Sequence, residues 1–179
     1  VFRQRGSVDP SPPNTGGSCT EVSPVSVASQ EVHPQGLAFS ADGLKMFIVG
    51  GSGDDVNEYT LAGPGAYCLG TASFVDAFSV QSQDTQPTGI AFSNDGLKMF
   101  IVGNSGDDVN EYTLSDDFDV STASFVDAFS VQSQETTPTE IAFDPSGRYM
   151  FILGKTGDDV TVYKLSTGFD VSTAVVQPG

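Results

Sequence analysis

Apolar residues in this chain fall in short runs, continuous or spaced by two, and never at the 3.6-residue spacing of an amphipathic helix. The runs follow one another in a fixed order. The first is LAF, IAF and IAF at residues 37–39, 90–92 and 141–143, entered from the corners Pro34-Gln35-Gly36, Pro87-Thr88-Gly89 and Pro138-Thr139-Glu140. A turn with Asp42-Gly43, Asp95-Gly96 or Ser146-Gly147 follows, a hairpin signal between apolar runs. The second run is MFIV, MFIV and MFIL from Met46, Met99 and Met150, apolar on both faces as in a strand packed inside a layered structure. A glycine-rich loop ending in Gly-Asp-Asp leads to a third strand at Val56–Leu61, Val109–Leu114 and Val160–Leu165. A fourth, Phe74–Val80 and Phe125–Val131, alternates like a half-exposed outer strand. No helix is predicted.

The order repeats because the sequence repeats. Gly36–Leu61 returns as Gly89–Leu114, changed only at Leu37/Ile90, Ala41/Asn94 and Gly51/Asn104, and a looser copy runs from Glu140 to Leu165. The prolines at 34, 87 and 138 set periods of 53 and 51 residues, in the range of solenoids, propellers and arrays. Four antiparallel strands joined by tight turns make a propeller blade. The fold class expected is therefore all-β, a β-propeller of four-stranded antiparallel blades, three per chain.

The segment PTGIAFSNDGLKMFIVGNSGDDVNEYTL (residues 87–114) resembles the YVTN-type propeller repeat: a Pro-X-Gly corner, an apolar strand, an Asp-Gly turn, a second apolar strand, a glycine-containing loop and a third strand. Asp144-Pro145-Ser146-Gly147 fits the turn of that repeat especially well. The resemblance covers roughly residues 34–174 and implies the fold. Propellers of this kind include surface proteins, binding modules and a few enzymes. The unit here is longer than the family's, in Phe118–Ala123 and Gln132–Thr137.

Three blades do not close a ring of the usual four to eight. Residues 1–20 read as a Pro/Gly/Ser-rich leader, processed or trimmed at Val1, and 21–179 as the propeller segment. Val22–Val27 aligns with Val75–Val80 and so resembles a fourth strand without a blade. The third unit shows no recognisable fourth strand after Phe169–Ala174. The expectation is a half-propeller whose strand 22–27 is donated to the third blade of another copy, through Val22, Val25, Val27, Val160 and Val162. That exchange makes a homodimer closing six blades, or a larger surface assembly. The rival is a ring completed by sequence beyond this chain.

Charge narrows the partners. Twenty-three acids against seven bases give a net charge of −16, with no Lys/Arg cluster to displace counterions from a nucleic-acid backbone. No apolar run is long enough to cross a bilayer as a helix. Seventeen of the acids are Asp, most beside Gly, Ser or Asn, which is ordinary turn chemistry. Cys19 and Cys68 lie outside the repeated elements, and an even pair in unique loops points to one disulfide in an oxidising, extracellular setting.

Candidate chemistry is sparse. The pairs Asp54/Asp55, Asp107/Asp108 and Asp158/Asp159 offer oxygen ligands that suit calcium, but without the calcium-loop spacing they read first as turns. No other cofactor is expected. Glu58 and Glu111 lie within a strand where the third copy has Val162, so they are expected half-buried and paired with Lys45 and Lys98, while Arg148 persists without such an acid. His33 is the sole histidine, aligned with Gln86 and Thr137, and no nucleophile motif accompanies it. Tyr59, Tyr112 and Tyr163 recur in register as packing residues, with glycan stacking as the alternative. Near-identical repeats suit multivalent binding better than a single catalytic site. The expected function is a non-enzymatic extracellular structural or adhesive module, part of a cell-surface or phage-fibre-like virion assembly, with a glycan or protein ligand and no catalytic residue. The alternative is a lactonase-like propeller hydrolase with calcium in its channel. Residues at the channel that break the repeat favour the enzyme.

Overall fold

The computed structural model describes Cys19 and residues 24–177. Within them the chain forms three four-stranded antiparallel sheets in simple sequence order, the blades of a β-propeller. Blade 1 comprises β1 (Pro34–Phe39), β2 (Lys45–Gly50), β3 (Asp55–Leu61) and β4 (Ala72–Ser79). Blade 2 comprises β5 (Pro87–Phe92), β6 (Lys98–Gly103), β7 (Asp108–Leu114) and β8 (Ala123–Ser130). Blade 3 comprises β9 (Pro138–Phe143), β10 (Tyr149–Gly154), β11 (Val160–Leu165) and β12 (Ala174–Val176). Strand β5 lies against both β1 and β9, so the first strand of each blade is its innermost.

The core sits between blades, which is why the second strands are apolar on both faces. One face of β2 and β3 sends Phe47, Val49 and Val56 into a cluster with Ile90, Met99, Ile101, Tyr112 and Leu114 of blade 2. Phe100, Val102 and Val109 repeat this against Ile141, Met150, Ile152, Tyr163 and Leu165 of blade 3. Aromatic rings finish each joint: Phe47 packs on Phe92 at 4.5 Å between centroids, and Phe100 on Phe143 at 4.5 Å.

Between the third and fourth strands each unit has a single 3-10 turn, at Leu69–Thr71, Val120–Thr122 and Val171–Thr173. These were not expected, because three residues carry no helical periodicity. The linker before each turn places an aromatic in the left-handed region: Tyr67 (φ 59), Phe118 (φ 54) and Phe169 (φ 57). The rings of Phe118 and Phe169 lie over Gly96 and Gly147, where a Cβ would run into them. The turn glycines are thus required by packing as well as by their own positive φ.

Two expectations are corrected. The third blade has its own fourth strand: β12 pairs with β11 over Tyr163↔Val176, Lys164↔Val175 and Leu165↔Ala174, and Gln177 N donates to Val162 O (2.8 Å). The edge assigned to an exchanged Val22–Val27 strand is therefore already occupied next to Val162, and only the Val160 end is open. Val22 lies outside the described residues. Val25 and Val27 form no strand and border the outer face of blade 1, where Val27 packs with Met46, Ile48, Tyr59 and Leu61. This matches Val80 and Val131, which seal the two internal joints, so residues 25–27 belong to the crossing into blade 1.

Candidate functional site

The innermost strands read PQGLAF, PTGIAF and PTEIAF. Gly36 and Gly89 let neighbouring inner strands touch: a Cβ at Gly36 would lie 2.8 Å from Thr88 O, and one at Gly89 2.8 Å from the Glu140 Cα. Thr88 Oγ1 ties the second contact by donating to Pro138 O (2.8 Å). Glu140 breaks the pattern. It is the one acid on these strands, standing where the other two units have glycine. Its half-buried carboxyl accepts from Ile141 N (3.0 Å) and from the backbone N–H of Ile90 on the neighbouring blade. Burial outweighs those two bonds and raises its pKa above the usual carboxylate range. A carboxyl so placed can take up and release a proton nearer neutrality than an exposed one.

A second set of acids escaped the sequence reading. Glu31, Asp84 and Glu135 occupy the same step of each unit and are each 1% exposed. Asp84 accepts from Gln86 N (2.6 Å), Ser105 N (3.3 Å) and Gly106 N (3.3 Å), tying the crossing between blades to the turn between β6 and β7. Glu31 does the same with His33 N (2.6 Å) and Ser52 N (3.2 Å), and Glu135 with Thr137 N (2.6 Å) and Thr156 N (3.1 Å). Burial pushes Glu31 and Glu135 up, but these donors overcome it and leave both pKa values lowered. The signal available in the sequence was their register alone.

The candidate ion pairs are brought together. Lys45 Nζ lies 2.7 Å from Glu58 Oε1, and Lys98 Nζ lies 2.6 Å from Glu111 Oε1. Each pair also grips the linker of the next blade: Lys45 donates to Phe118 O (2.7 Å) and Glu58 accepts from Val120 N (3.0 Å). Lys98 and Glu111 hold Phe169 O (2.6 Å) and Val171 N (3.0 Å) identically. At the register of these lysines the third unit has Tyr149, and Arg148, at the position of Leu44 and Leu97, donates to Ser166 O (2.6 Å).

Asp54, Asp107 and Asp158 take left-handed turn conformations (φ 55, 53 and 52). Asp54 Oδ2 accepts from Gln81 Nε2 (3.1 Å) and Asp107 Oδ2 from Gln132 Nε2 (3.2 Å). Among the described residues no three His, Cys, Asp or Glu side chains, including Asp55, Asp108 and Asp159, group as metal ligands. Turn residues engaged in this way predict that chelation leaves the melting temperature unchanged. A rise with added calcium that disappears in Asp107→Ala would establish a cation site.

Tyr59, Tyr112 and Tyr163 are buried edge-on against Phe74, Phe78, Phe125 and Phe129. Each donates its hydroxyl to a glutamine, Gln30, Gln83 or Gln134 (3.2–3.3 Å). Burial, then the charge of Glu135, pushes Tyr163 up to about 12. None of these three rings offers a face to a sugar. His33 is exposed, its Nδ1 2.7 Å from Ser52 Oγ.

Cys19 and Cys68 are joined in a disulfide that fastens the leader to the linker of blade 1. Alkylation of the folded protein without reductant should therefore label neither cysteine, and labelling of both would contradict the bridge. No described helix is long and apolar enough to cross a membrane.

No protein-family model and no curated protein matches the sequence. Solved structures do. One is a protein of Bacteroides fragilis that bears the provisional name 6-phosphogluconolactonase: TM-score 0.59, 16% identity, covering 80% of this chain and 37% of that one. Another is the periplasmic gluconolactonase of Pseudomonas aeruginosa: TM-score 0.55, 22% identity, 81% and 38% covered. A third is the β-propeller domain of Cps50 (Swd1) from Myceliophteria thermophila: TM-score 0.52, 10% identity, 81% and 42% covered. This chain spans less than half the length of each, and at these identities the likeness carries the fold. The expectation that the chain is not an enzyme is overturned here. Propellers of its shape include proteins named as lactonases, so tandem repetition is no argument against catalysis. The repeat is also not uniform, since Glu140 stands where the other two units have glycine.

Proposed function

We propose that the chain is part of a propeller hydrolase that opens an uncharged sugar-acid lactone at the inner strands, with Glu140 as general base. The observation that carries this reading is Glu140 itself, a single repeat-breaking carboxyl with a raised pKa on a strand that faces the propeller axis. The names of two structural neighbours supply the substrate class. In the reaction Glu140 takes a proton from water as the water oxygen bonds to the lactone carbonyl carbon. The ring C–O bond then breaks, and the proton passes to the departing ring oxygen, leaving the open hydroxy acid.

Charge favours an unphosphorylated substrate. The inner strands carry no Lys or Arg to hold a phosphate, and the net charge of −16 repels an anionic ligand while helping to expel the carboxylate product. The disulfide supports an exported protein, since such bonds persist in oxidising compartments. The test is proton release from gluconolactone, corrected for its spontaneous opening. The chain should accelerate hydrolysis, with Glu140→Gln at least about 100-fold slower for loss of a general base. An unchanged rate in a folded Glu140→Gln variant would defeat the proposal.

A further inference from the structure

We propose that the open face of blade 3 docks on the open face of blade 1 in a second copy of this chain. The two internal joints define what a joint of this repeat requires. Each has a glycine on the inner strand lying against its neighbour, Gly36 or Gly89. Each has an apolar row, Val49 and Val56 or Val102 and Val109, fully buried. Each has a Lys–Glu pair clasping the linker of the next blade.

Blade 3 keeps the apolar row and loses the rest. Leu153 and Val160 stand at the positions of those valines but are 46% and 54% exposed. Val162 replaces the acid of the pair, and Glu140 replaces the glycine. A following blade built like blade 2 would bring a linker carbonyl and N–H that blade 3 cannot satisfy, and burying them unpaired is costly.

The outer face of blade 1 makes no such demand. Its linker is closed on itself, with Leu69 N donating to Tyr67 O (2.9 Å) and Cys68 held in the disulfide. Beside it lies a groove of about 290 Å³ lined by Val25, Val27, Leu37, Met46, Ile48 and Leu69. Leu37 is 51% exposed, whereas its counterparts Ile90 and Ile141 are each 3% exposed inside joints. The groove occupies the place where the apolar row of a preceding blade inserts at the internal joints. An end that offers no ion pair therefore meets an end that needs none. In this register Glu140 lies beside Gln35 and Gly36 of the second copy, and the inner strands stand further apart than at the internal joints, because Glu140 carries a Cβ where Gly36 and Gly89 have none. Two such joints related by a twofold axis close a ring of six blades.

The test is the mass of the full chain by sedimentation and light scattering. The expected result is twice 18.7 kDa. Leu153→Asp with Val160→Asp should convert it to a monomer with unchanged circular dichroism. Gln35→Cys with Glu140→Cys should yield disulfide-linked dimers on oxidation that disappear with reductant. A wild-type monomer at the highest soluble concentration would overturn the proposal and assign these faces to further blades of a longer chain. A dimer that survives both aspartates would overturn it too. The readout is mass rather than turnover, so its failure is separable from that of the lactonase reading.

Discussion

Replacing Asp84 with alanine is expected to destabilise the protein by about 3 kcal/mol, because buried hydrogen bonds to a charged acceptor are individually worth about 1.5–3 kcal/mol. The carboxylate is 1% exposed and takes the N–H groups of Gln86, Ser105 and Gly106. Loss of the three acceptor bonds frees both the crossing into blade 2 and the turn between β6 and β7. Denaturant unfolding of the variant measures the cost, and a loss below about 1 kcal/mol would show that the turn re-forms without the acid. The same architecture fixes a pH dependence. Glu31 and Glu135 have folded pKa values below their unfolded ones, so their stabilisation is present above the unfolded value and is lost as pH falls through the folded one. Glu140 has the opposite sign: with its folded pKa raised, the native state gains on acidification through that pKa and loses above it. The melting temperature is expected to fall on strong acidification, and to fall more steeply in Glu140→Gln, which lacks the offsetting gain of the raised carboxyl.

Glu111→Ala is expected to cost about 3 kcal/mol, the lower end for breaking a buried pair, because Lys98 keeps partial access to water. Glu111 is 2% exposed, and its removal strands Val171 N as well as the ammonium. Arg148→Ala provides the contrast. Its bond to Ser166 O is exposed, so the loss should stay below about 0.5 kcal/mol. Equal losses in the two variants would mean that the ion pair does not bind blade 2 to blade 3.

The blades were legible because period-two apolar runs and turn glycines are local signals, and the repeat triples them. Strand starts were read late at Ala72 and Ala123, where small residues replace the bulky apolar ones that mark a strand. Strand β12 was missed because AVV shares only its alanine with ASFVDAFS. The pairing of Lys45 with Glu58 was legible from their adjacent strands. Their grip on Phe118 O and Val120 N was not, since it requires knowing which blade face meets which linker. Glu31, Asp84 and Glu135 looked like loop residues because their partners are backbone N–H groups, which no sequence pattern displays. Glu140 was visible as a departure from Pro-X-Gly, but its significance depends on the inner position of β9.

The functional reading rests on Glu140 being a perturbed carboxyl that meets ligand, and carboxyl-carbon NMR of the wild-type chain tests this directly. Assigned by comparison with Glu140→Gln, its resonance should titrate above the ordinary carboxylate range and shift when an aldonate, the lactone's hydrolysis product, is added. A resonance that titrates with an ordinary carboxylate pKa and ignores the aldonate would contradict the account.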